Sequence, residues 1–145
     1  MKMILSGLIT ALAMTAHATK KVEFKTMITC QQGDGDQWYE VGIAPINGDK
    51  VFNAFIVYHD TDTDSAKLVG QLKVTGGLIP SKKGYLALYT GNNGMFKLGI
   101  SQAPRTAFIY GNLSYQIPGQ QGLAIQNMDC YVDSKISFEP PLKLK

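Results

Sequence analysis

Val22-Glu23-Phe24-Lys25-Thr26-Met27-Ile28-Thr29-Cys30 is the stretch that decides the fold. Val22, Phe24, Ile28 and Cys30 fall on one side of an extended chain and Glu23, Lys25 and Thr29 on the other, the period-two pattern of a half-buried strand. Trp38 to Ala44 repeats it with Tyr39, Val41 and Ile43 in phase, and Ala66 to Val74 sets Leu68, Leu72 and Val74 against Lys67, Gln71 and Lys73. Val51 to His59 is a nearly unbroken apolar run, which predicts a strand buried on both faces. Tyr85 to Thr90, Met95 to Ser101, Ala107 to Ile117 and Leu123 to Val132 follow, with a short strand expected at Ile136 to Phe138.

The connections point to antiparallel neighbours. Asn47-Gly48-Asp49, Asp60 to Ser65, Thr75-Gly76-Gly77, Gly91 to Gly94 and Pro118 to Gly122 are rich in residues that accept positive φ or preset a turn. Parallel pairing needs crossovers of a dozen or more residues, and no window carries the spacing of an amphipathic helix. The expected fold is all-β: a single antiparallel domain of about eight strands, forming a small closed or partly open barrel, with a β-sandwich as the alternative. Gly42, Gly70, Gly99 and Gly111 inside strands favour the barrel, because interior glycines mark bends and close approaches. Gly42 and Gly99 lie on the solvent phase of their strands and Gly70 on the core phase.

Outward from these strands, residues 1–18 read as a signal peptide: Lys2, an apolar stretch from Met3 to Met14, and Ala16-His17-Ala18 as a small-x-small cleavage site. The apolar stretch is shorter than the roughly 20 residues of a membrane-spanning helix, so the reading is a protein exported to a periplasm or secreted. Residues 19–145 then form one domain, with a loose tail from about residue 139. The leader removes only Lys2 from the 14 Lys and Arg, which leaves the exported chain nearly balanced against 11 Asp and Glu. Its lysines are scattered, which argues against nucleic acid as a partner.

Cys30 and Cys130 are the only two cysteines. Each lies in the apolar phase of its strand, Cys130 with Met128 and Val132, so both are expected to face one core and to pair in an oxidising compartment. Closing so long a loop is worth roughly 4.7 kcal/mol in the chain-entropy model.

The chemistry carried by the remaining residues is sparse. His17 leaves with the leader, so His59 is the one histidine of the exported chain, expected as a hydrogen-bonded side chain at a strand end beside Asp60. No nucleophile elbow, phosphate loop or dinucleotide fingerprint is present, and neither a cofactor nor catalysis is expected. Asp60, Asp62 and Asp64 alternate like the opening of a calcium loop, but Ser65 and Gln71 stand where that loop needs Gly and Glu, so they are a weak Ca²⁺ candidate at most. Asp34 and Asp36 make a second acidic turn, and Glu40 and Asp129 are a pair of carboxylates whose separation the sequence does not fix.

Aromatic residues are the more informative class. Trp38, Tyr85, Tyr89 and Tyr110 are the candidates for a ligand-binding face, since Tyr and Trp offer flat apolar surface with a polar handle. The same residues also serve as cross-strand packing pairs. The expectation for function is therefore an exported, soluble, non-catalytic binding protein whose partner is a small ligand held inside the barrel or a protein, for instance an enzyme that it inhibits. The alternatives are a structural or surface-assembly subunit, an outer-membrane β-barrel, and an enzyme built on carboxylates.

Overall fold

The computed structural model describes residues 20–33, 35–47, 50–78, 85–103, 105–116 and 119–141, with the side chains of 47, 78 and 85 outside that description. The leader read over residues 1–18 therefore lies outside the described residues. Eight strands follow in order: β1 (Val22–Gln31), β2 (Gln37–Asn47), β3 (Val51–Asp60), β4 (Ser65–Leu78), β5 (Tyr85–Gly91), β6 (Phe96–Gln102), β7 (Ile109–Tyr115) and β8 (Leu123–Phe138). Each pairs antiparallel with the next, and β8 pairs with β1, closing the sheet into a barrel. Of the two all-β arrangements, the barrel is the one that forms.

Two boundaries differ from the sequence reading. Gly76 and Gly77 do not turn but continue β4, paired with Tyr89 and Leu88 of β5. The two strands approach so closely that a Cβ on Gly76 would lie 2.4 Å from the Leu88 carbonyl oxygen, so glycine here serves contact rather than reversal. Ile136 to Phe138 is likewise not a separate strand but the end of β8, which bends at Asp133 (φ 48°) without losing its pairing to β1.

The inward phases of the wall build one apolar core. Val41 and Ile43 of β2, Phe52, Ala54 and Ile56 of β3, Phe96, Leu98 and Ile100 of β6, and Met128 of β8 meet there. Cys30 and Cys130 stand directly opposite across the β1–β8 seam and form a disulfide within this core. Gly111 of β7 makes room for it, since a Cβ there would lie 2.7 Å from the Cys30 sulfur.

A second core lies outside the barrel wall. β1 pairs with β2 only over Ile28–Gln31, whereas its pairing with β8 runs on to Val22 and Phe138. The two strands thus leave the barrel together as a ribbon. Thr26 and Thr29 hydroxyls meet at 2.6 Å, a contact that a straight strand, with residues three apart on opposite faces, does not allow. The ribbon folds across β2, β3 and β4. Ile136 and Phe138 pack with Ala44, Phe55, Val57 and Ala66, and Phe24 stacks on Phe55 at 4.7 Å. Gly42 sits beneath the bend, where a Cβ would meet Thr26 and Ile136 at 3.0 to 3.2 Å. This covering layer is why β3 is apolar on both phases. It also corrects the single face assigned to β1: Val22 and Phe24 serve the outer core, Ile28 and Cys30 the inner one.

The far end of the ribbon is tied down. The Glu139 backbone N–H donates to the Ala66 carbonyl, and the Ala66 N–H donates to the Glu139 carboxylate, both at 2.8 Å. Pro140 and Pro141 follow. Lacking N–H groups, they cannot extend this pairing along β4.

Candidate functional site

The register lays chemistry-bearing side chains in rows over the outer wall. Glu40 pairs with Gln31, Gln31 with Asp129, Asp129 with Tyr110, and Tyr110 with Ser101, so one row crosses β2, β1, β8, β7 and β6. The next row holds Gly42, Thr29 and Tyr131. Tyr131 is 51% exposed, and Phe108, which immediately precedes β7, is 66% exposed. Continuing the β7–β8 register by one residue sets Phe108 opposite Tyr131. Tyr110, half-buried, lies beside them on the same face. These three aromatic residues and Asp129 form the most open aromatic surface of the described wall.

A groove of about 390 Å³ continues the outer surface over β5 to β8. Gly99 contributes no side chain to it, while Leu88, Lys97, Asn112 and Ser114 rise around it. Asn112 has a structural role here. Its carboxamide oxygen accepts the Asn127 N–H at 3.0 Å, where Asn127 takes a positive φ of 57° and shifts the register of β8. Asparagine is one of the few residues with a side chain that tolerates this conformation.

At the other side of the outer wall, Trp38 and His59 are direct cross-strand partners, their rings stacked with centroids 3.8 Å apart and planes 9° from parallel. His59 is hydrogen-bonded as expected, but to the buried Glu40 carboxylate at 2.8 Å rather than to its neighbour Asp60. Burial explains the choice. A buried carboxylate needs a donor, whereas Asp60 accepts the N–H of Asp62 in its own turn. A carboxylate-oriented imidazole is part of a hydrolytic constellation, yet among the described residues no hydroxyl or thiol bonds to His59. Glu40 and Asp129 share the first row with Gln31 between them, about 9.5 Å apart at two strand spacings, and Glu40 is committed to His59.

The other residues read from the sequence disperse. Tyr89 points into the barrel, 7% exposed and edge-on to Phe52 at 5.5 Å. It is a core residue, the packing use that its class allows. Burial raises its phenol pKa above the ordinary value. Tyr85 pairs with Ser101 whereas Ala87 pairs with Ile100, so a register shift separates Tyr85 from Tyr89; the Tyr85 side chain lies outside the described ones. Asp60, Asp62 and Asp64 sit at the β3–β4 turn, and among the described residues no group of three His, Cys, Asp or Glu side chains could hold a metal ion. Asp34 lies outside the described residues.

Sequence reasoning passed over Phe108 and Tyr131 as a pair and Asn127 and Asp133 as bends. A signal existed for the first: both stand on the polar phase of their strands, where a large aromatic is exposed unless something covers it. No protein-family model, curated protein or solved structure matches the chain.

Proposed function

We propose that this chain is an exported, non-catalytic binding protein that recognises a partner protein on the outer wall of a filled barrel. The observation that carries this reading is the packed interior. An eight-stranded barrel is just wide enough to be filled by side chains or to hold one small ligand, and a ligand-sized void would leave accessible surface on the residues lining it. Cys30, Val41, Ile43, Ala54, Ile56, Phe96, Leu98 and Met128 have none, and Phe52, Val74, Ile100 and Leu113 have at most 2%. Binding is then left to the outside, where Phe108, Tyr110 and Tyr131 offer the residue types that anchor protein interfaces.

The polarity of the wall supports a protein in water. A barrel in an outer membrane is apolar outside and polar within, whereas this one is apolar within and carries Lys25, Lys73, Lys97 and Asp129 on exposed outer positions. The disulfide is compatible with an oxidising periplasmic or extracellular location.

The test is affinity capture from the exported fraction of the source cell and its surroundings, comparing the unaltered chain with a Phe108→Ser/Tyr131→Ser variant. The reading expects one protein retained in a saturable complex and its affinity lowered at least tenfold by the double substitution. Retention unaffected by the substitutions would remove this surface from the account.

A further inference from the structure

Among the described residues, the ribbon leaves a sheet edge open. Beyond the Ile28–Ile43 pair, β1 and β2 separate, and no described strand pairs with β1 from Val22 to Met27 on the side away from β8. Its backbone N–H and C=O groups that face away from β8 form a template for another extended chain. Three large apolar side chains flank the opening: Phe24 and Met27 on β1, and Ile46 on the part of β2 that β1 has left, each exposed by 40% to 42%. Charged side chains on an edge hinder pairing with a like-charged edge; here they stand beside apolar side chains that border the opening.

Charge selects among occupants. Lys20, Lys21 and Lys25 are exposed along the same segment, and its one acid, Glu23, is already paired with Lys135 at 3.5 Å. A second copy of the chain fits poorly. Two antiparallel β1 edges joined about a two-fold axis would share one face of the sheet, bringing both barrels beneath the same continuous ribbon.

We propose that the free edge of β1 captures an extended segment of a partner protein as an added strand, one that alternates apolar residues with acidic ones. The pleat assigns the two sets. Alternate residues of the added strand face the barrel with Phe24 and meet Ile46, and the intervening acids share the solvent face with Lys25. The inference rests on the reading that partners are bound outside the barrel, and adds where and in what conformation.

The test titrates the oxidised, ¹⁵N-labelled protein with a synthetic decapeptide of alternating Val and Glu. The expected result is saturable shifts of the Val22 to Met27 amides and at least tenfold slower hydrogen exchange of those facing the open edge. Alternate N-methylation of the peptide along its bonding edge abolishes binding, and Lys25→Glu weakens it at least fivefold. A Val and Lys decapeptide that binds equally well, or the absence of shifts at Val22 to Met27, overturns the proposal. Shifts confined to Phe108, Tyr110 and Tyr131 also overturn it while leaving external binding intact.

Discussion

Gly111 on β7 faces the sulfur of Cys30 on β1 so closely that a Cβ at Gly111 would lie 2.7 Å from it, and 2.8 Å from the sulfur of Cys130. The disulfide is therefore packed against backbone. Gly111→Ala should cost about 1–3 kcal/mol by overpacking, and far less once Cys30 and Cys130 are both alanine. Urea unfolding of the four proteins in this cycle measures the coupling. Equal cost in both backgrounds would separate the glycine from the disulfide.

The disulfide itself spans 100 residues and joins the first and last strands at the line where the barrel closes. Replacing both cysteines by alanine is expected to lower stability by about 2–5 kcal/mol. A change below about 0.5 kcal/mol in chemical denaturation would mean that sheet pairing alone holds the seam.

Glu40 is buried and bonded to His59, which lies under the indole of Trp38. Glu40→Ala takes away the acceptor and leaves the imidazole short of a partner, a loss of about 1–3 kcal/mol. Trp38 is the sole tryptophan, so its emission reports the cluster without a label. Unchanged emission together with unchanged stability would contradict the assignment.

Tyr89 stays protonated in the barrel to a higher pH than in the unfolded chain, because burial disfavours the phenolate. The unfolded chain therefore releases its proton first. The stability that Tyr89 contributes is whole below pH 10 and falls as pH rises from there through its folded-state value. Tyr89→Phe should flatten this part of the alkaline stability curve. A curve with the same slope as the parent would assign alkaline sensitivity to other groups.

Glu139 anchors the ribbon to β4 through two bonds with Ala66. Glu139→Ala removes the carboxylate that accepts the Ala66 N–H, and hydrogen exchange at that amide should quicken at least tenfold while amides in β6 keep their protection. Unchanged exchange at Ala66 would show the ribbon end held by other contacts.

The barrel was legible because strands with one wet face alternate, and because short turns permit only antiparallel neighbours. The ribbon was not. Val22, Phe24, Ile28 and Cys30 keep one alternation, and nothing in a period of two distinguishes a strand that stays in the wall from one that bends and lays its later phase on the opposite side of it. The trace it left was in β3, where Phe55 and Val57 are apolar on a phase that would otherwise be wet. The candidate site was harder still. Tyr89 and Tyr110 are alike in sequence, each beside a glycine or leucine in a strand, and only the register sends one into the core and the other to the surface. Glu40 and His59 lie 19 residues apart, brought together by the β2–β3 register, which no local pattern encodes.

The filled interior is the claim on which the functional reading turns, and titration of the oxidised protein with saturated fatty acids of twelve to eighteen carbons tests it most directly. The account predicts no saturable heat by calorimetry and no rise in melting temperature. A one-to-one complex whose affinity falls when Leu98 is replaced by Trp would contradict it and move the binding site inside the barrel.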